Sequence, residues 1–253
     1  MRVRMGLKHF IKGFQLLPAP GVRLWVIIPL LLNLVLFVGL TLYALQQFEG
    51  WMSWLLSYLP AWLEFIAWLL GIVFGLLLAL CYAYTFTLVG NLIAAPFYGL
   101  LANAVYIKLC GSGDEAPLTL KTASVIARQA FVRELQKLAY FLPRLSAVLL
   151  LCLVLSFIPV VNVAVTAIIF LWGAWSLALQ YLDYPADING VNFKTLRQRA
   201  GDDKGLSFSF GSIVLLASTV PVLNLLVMPA AVAGATSLWV ERFKQNTETD
   251  STR

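Results

Sequence analysis

From Leu24 to Leu45 the chain carries no charged residue. A helix over that run measures ~33 Å at ~1.5 Å per residue, enough to cross a hydrocarbon core of ~30 Å. The run reads as a membrane span, and the remaining sequence agrees. The 253 residues are 60% hydrophobic and only 12% charged. Mean hydropathy is +0.85. These values belong to an integral membrane protein.

Immediately before the run lies Pro18-Ala-Pro-Gly-Val-Arg23. Two prolines and a glycine cannot propagate a helix, so a new one is expected to start here. Its first N–H groups lack helical partners, and its dipole puts positive charge at that end. Arg23 adds a full charge. Such a corner can hold an anion. The other reading is that Arg23 marks the cytoplasmic edge of a span.

The net charge is +6, but its placement says more. Leu24 to Ile107 has no basic residue, and its only acids are Glu49 and Glu64. The 18 Lys and Arg cluster at 2–23, 108–144, 194–199, 204 and 242–253. This is a positive-inside pattern, not a surface for nucleic acid, and it favours one orientation. Cys81 and Cys152 sit in apolar runs, which suits buried thiols better than disulfides or metal ligation. His9, the only histidine, lies outside every apolar run. That argues against intramembrane hydrolase and zinc chemistry, and no cofactor or metal is expected.

Residues 1–17 lack the apolar core of a signal peptide. Val3, Leu7, Phe10, Ile11, Phe14 and Leu17 form a helical stripe opposite Arg4, Lys8 and Lys12. This predicts an amphipathic helix in the headgroup layer, with packing on a cytoplasmic domain as the alternative. Pro29 should kink the first span. Residues 46–53 read as an outside loop, with Trp51, Trp54, Tyr58 and Trp62 as an interfacial belt. A second long helix is expected over 60–95, with Glu64 near its start. It should either project past the bilayer or break near Gly90-Asn91. Gly71, Gly75 and Ala79 form a small-residue face. Residues 97–144 read as cytoplasmic-side helices, with a turn over Gly111–Pro117.

The last third repeats itself weakly. Ser156-Phe-Ile-Pro-Val-Val-Asn162 parallels Ser218-Thr-Val-Pro-Val-Leu-Asn224. Each copy is a short apolar arm, a Pro…Asn turn and a longer apolar arm. The expected units are two helical hairpins, 145–182 and 206–240, that partly penetrate the bilayer. Paired interrupted segments of this kind point to a transport path. Pro159, Val160 and Asn162 would line it with Pro221, Val222 and Asn224. Arg144, Lys194, Arg197 and Arg199 would shape the field at its inner mouth. Four ordinary spans with short outside loops remain the alternative. Asp183 and Asp187 read as a helix stop paired with nearby Lys or Arg.

Several motifs in one order carry a resemblance. They are Pro20-Gly-Val-Arg23, Pro29-Leu-Leu-Leu-Asn33, Asn91-Leu-Ile-Ala-Ala-Pro-Phe97, Gln180-Tyr-Leu-Asp-Tyr-Pro185, Pro221-Val-Leu-Asn224 and Met228-Pro229. From Phe10 to Trp239 the chain resembles the CysZ sulfate permease family, within the wider group of EI24-like membrane proteins. The resemblance implies an all-α integral membrane protein with two long transmembrane helices and two partly penetrating hairpins. It implies uptake of sulfate across a bacterial inner membrane, by a channel or permease that feeds cysteine biosynthesis. It implies a sulfate site at Gly21, Val22 and Arg23; many relatives carry a second arginine next, where this chain has Leu24. It also implies homo-oligomers. A non-transporting scaffold or regulator of a partner permease is the competing reading, and an enzyme ranks below both.

Overall fold

The computed structural model describes residues 2–58, 60, 67–111, 120–158 and 161–243. They form eight α-helices, with no strand among the described residues: α1 (Arg2–Leu16), α2 (Arg23–Leu56), α3 (Ala67–Cys110), α4 (Leu120–Ser156), α5 (Asn162–Ile188), α6 (Phe193–Asp202), α7 (Lys204–Ser218) and α8 (Pro221–Leu238). A π-helical turn, Trp239–Phe243, extends α8. Among the described residues five helical segments are long and apolar enough to cross a membrane. The protein is an all-α membrane protein.

Two units divide the chain. One comprises Met1–Ile27 with Ala95–Arg253, the other Ile28–Ala94. In the first, α1, α5, α7 and α8 pack most closely on one another. The interior is built from small residues. Gly211 of α7 lies so close to α5 that a Cβ there would overlap the Ala174 carbonyl oxygen. Gly13 of α1 meets the Ala230 carbonyl of α8 in the same way, and a Cβ on Gly234 would fall 2.8 Å from the His9 carbonyl oxygen. In α8, 67% of the apolar window is buried inside the protein, against 6% in α4. So α8 is an interior helix, whereas α4 turns apolar side chains such as Leu150 and Val154 outward.

In the second unit α2 and α3 meet through side chains. Thr41 Oγ1 lies 2.6 Å from the Tyr82 hydroxyl, and Phe37 packs edge-on to Tyr82 and Phe86. Gly71 and Gly75 face Met52 and Phe48 of α2, so this small-residue face packs within the chain.

Several boundaries differ from those expected. The first long helix does not end at Leu45: α2 continues to Leu56, through the residues expected to form a loop. No break occurs at Gly90-Asn91, and α3 passes through Pro96 to Cys110. The helix of 125–140 and the arm 145–158 are one helix, α4, with Pro143 inside it. A proline removes one backbone donor, which neighbouring groups can make good inside a membrane protein. α5 likewise runs past Asp183 and Pro185, so Asp183 does not stop it. α1 packs on α7 and α8 through its Gly6, His9 and Gly13 face, leaving Leu7 and Ile11 about half exposed. Glu64, Trp62, Pro159, Val160 and most of the Gly111–Pro117 turn lie outside the described residues.

Candidate functional site

After α1 ends at Leu16, prolines at 18 and 20 force a turn. The Ala19 carbonyl oxygen accepts from both the Val22 N–H, at 3.0 Å, and the Arg23 N–H, at 3.1 Å. That double acceptance seats the first turn of α2. Gly21 adopts φ +83°, a left-handed conformation that glycine reaches without a Cβ penalty. Nothing lies within 4 Å of where its Cβ would be, so the backbone there is open to approach.

The three residues expected to hold sulfate take different parts in this corner. Val22 is fully buried and its amide is engaged by Ala19, so it anchors the turn. Gly21 and Arg23 are exposed. Arg23 has no carboxylate partner among the described residues. The amides of Gly21 and Leu24 have no backbone acceptor among them either. Two open N–H donors and a guanidinium therefore share one corner at the positive end of a helix, an arrangement suited to an oxyanion.

The two Pro…Asn turns stand apart from that corner in their bonding. No hydrogen bond or ion pair links them to residues 21–23 among the described residues. Asn162 opens α5, and its N–H donates to Ile158 at 3.2 Å. Pro221 opens α8, and the Asn224 N–H donates to Val220 at 2.8 Å. Neither helix has a side-chain cap at its N-terminus. Asn162 and Asn224 are exposed. The repeat is visible in matched helix ends: Ser156 donates to the Cys152 carbonyl at 2.7 Å, and Ser218 to the Val214 carbonyl at 2.8 Å.

Two polar clusters were not anticipated as such. In the first, Arg133 of α4 donates from Nη2 to Asp183 Oδ1 at 2.8 Å and from Nε to Oδ2 at 3.0 Å. It also reaches Asp187 and the Val191 carbonyl. Lys137, only 3% exposed, lies 3.5 Å from Asp183 and pairs with Glu134. Arg133 and Lys137 are four residues apart, as are Asp183 and Asp187. Matching i,i+4 spacings on two helices were the sequence signal for this lock. The pairing of these acids with Lys and Arg is as expected.

In the second cluster His9 is fully buried between α1 and α8. Its Nδ1 lies 3.1 Å from Ser237 Oγ. Its Nε2 lies 3.5 Å from Glu241, outside hydrogen-bonding geometry. Burial lowers the His9 pKa below 6.5, with Glu241 opposing and Lys8, Lys12 and Arg242 reinforcing the shift. Among the described residues no group of three or more His, Cys, Asp or Glu side chains could hold a metal ion.

Residues 9–229 match the family described as Sulfate transporter CysZ/Etoposide-induced protein 2.4. A protein of Pseudomonas fluorescens named Sulfate transporter CysZ is 42% identical over 96% of this chain and 96% of its own length. Proteins of the same name from Pectobacterium atrosepticum and Pseudomonas aeruginosa are 41% and 40% identical. They align over 95% and 93% of this chain and over 86% and 94% of their own lengths. The match is continuous from α1 into α8, and the chain belongs to the Sulfate transporter CysZ/Etoposide-induced protein 2.4 family.

Proposed function

We propose that this chain is a passive, channel-like route for sulfate across a bacterial inner membrane, supplying sulfur for cysteine synthesis. Relatives of near-equal length are named sulfate transporters. The observation that carries the reading is the corner before α2. There an exposed arginine stands beside two amides, and among the described residues the arginine has no carboxylate partner and the amides no backbone acceptor. In this reading Gly21 lets the anion approach the backbone, Val22 holds the turn, and Arg23 supplies charge-assisted hydrogen bonds.

The permeation path in this reading follows the uncapped positive ends of α5 and α8. Pro159, Val160 and Asn162 lie on one side of it, with Pro221, Val222 and Asn224 on the other. Both hairpins enter from the cytoplasmic side and turn back within the bilayer. α7 has 15 residues, ~22 Å of helix, against a core of ~30 Å. The uncharged part of α4 after Arg144 is shorter still, at ~18 Å. The N-terminus is cytoplasmic, α1 rests at the headgroup layer on its exposed Leu7 and Ile11, and the protein works as a homo-oligomer.

Calorimetric titration with sulfate tests the site. Arg23→Ala is expected to weaken binding about tenfold, ~1.4 kcal/mol. Unchanged affinity would remove Arg23 from the site. Uptake of labelled sulfate into proteoliposomes holding only this protein separates a transporter from a scaffold.

A further inference from the structure

Two arginines converge on one ring. Arg144 Cζ lies 3.9 Å from the Tyr140 ring centroid, and Arg197 Cζ lies 4.4 Å from it. The two charges are therefore no farther apart than those distances laid end to end. With Lys194 they line an open cavity of about 580 Å³ between α4 and α6. Among the described residues no carboxylate lines the cavity. Among the described residues none of the three cations has an ion-pair partner. Arg144 donates one bond, to the Tyr140 carbonyl at 2.9 Å, and the Nε of Arg197 is buried with no hydrogen-bond partner. Asn192, also in the lining, caps α6 by accepting from the Thr195 N–H at 2.8 Å, so the positive end of that helix adds to the field. Crowded like charges repel, and a bound anion would offset that repulsion.

The surroundings say which kind of anion. Arg144 is the last charge on α4 before the uncharged stretch 145–156. Leu138 and Leu142, on the turns just before it, are 56% and 62% exposed, as side chains facing lipid would be. Phe141 bridges to a second cavity: its ring lies 6.1 Å from Phe193 and 6.3 Å from Trp172. That cavity, about 470 Å³, is lined mainly by apolar side chains, among them Val148, Ile168, Trp172, Trp175 and Phe208, and also by Lys204. A basic pocket beside an apolar groove matches an amphiphile, with a phosphate in the first and an acyl chain in the second. Free sulfate or phosphate would use only the first.

We propose that the Arg144–Lys194–Arg197 cavity binds the phosphate of an anionic phospholipid whose acyl chain lies in the groove between α4, α5 and α7. The site is separate from the Gly21–Arg23 corner and does not depend on the transport reading. The test uses the full-length protein in neutral detergent, titrated with phosphatidylglycerol or phosphatidylcholine of matched chains and read by native mass spectrometry. Inorganic phosphate and sulfate are titrated separately by calorimetry.

Wild type should retain phosphatidylglycerol at least tenfold better than phosphatidylcholine. The double variant Arg144→Gln/Arg197→Gln should lose that preference. Lys194→Gln changes an exposed side chain and leaves the packing alone; it should lower the preference at least twofold, and it decides the matter if the double variant does not fold. Equal retention of the two lipids by wild type, or a preference that Lys194→Gln leaves intact, overturns the proposal. So does a free-anion affinity that falls in these variants without any lipid preference in wild type, which would make the cavity a site for soluble oxyanions.

Discussion

His9 is neutral in the fold because burial disfavours its charged form. In the unfolded chain it titrates near its ordinary value, ~6.5. Between the lowered folded value and ~6.5 the unfolded state binds more protons, so stability rises with pH there. The contribution is complete above ~6.5 and is lost as pH falls toward the folded value. Melting in detergent should therefore drop on acidification from about pH 7.5 to about pH 5.5, and His9→Asn should flatten that slope. An equal slope in the variant would assign the acid sensitivity elsewhere. The burial of His9 was not legible in the sequence, because its neighbours Lys8 and Lys12 mark a polar face. Gly6 and Gly13, one helical face with His9, let α7 and α8 approach and so choose the packed side. By contrast the start of α2 was legible from local chemistry alone, since prolines and a glycine dictate where that helix begins. The capture of two amides by the Ala19 carbonyl depends on turn geometry that residue types do not specify.

At the scale of elements, close backbone approach is what joins α1 to α8 and α5 to α7. Gly13→Ala or Gly211→Ala would drive a methyl into a carbonyl oxygen of the neighbouring helix. Overpacking of this kind costs about 1–3 kcal/mol, so both variants should melt lower in detergent. Gly99→Ala is the control, because a Cβ there meets nothing within 4 Å. Equal melting of all three would discard the account of the packing. A second test concerns depth. In a background lacking Cys81, Cys110 and Cys152, cysteines at Val161 and Leu223 should resist an impermeant thiol reagent added outside intact cells. Ready labelling at both would make the hairpins full spans. The start of α8 was legible because Pro221 suits the first position of a helix. The continuity of α4 was not, because Pro143 sits where the pattern changes from amphipathic to wholly apolar. A proline at such a boundary reads as a break, yet the helix passes through it.

At the scale of the whole molecule the question is what drives a divalent anion inward. Moving two negative charges against 100 mV costs about 4.6 kcal/mol, so passive entry needs roughly a 2,000-fold gradient. Proton coupling would ease this, but it needs a titratable group along the path. The buried acid Asp183 has both oxygens held by Arg133, and His9 is packed between α1 and α8 beside Ser237, toward the end of α8 remote from Pro221. We therefore expect a sulfate conductance that needs no proton. It is tested by recording current through the purified protein in planar bilayers, under a sulfate gradient and then with a pH gradient added at fixed divalent sulfate. The reversal potential should follow the sulfate gradient and stay put when pH changes on one side. A reversal potential that moves with pH, or no sulfate current at all, would contradict it.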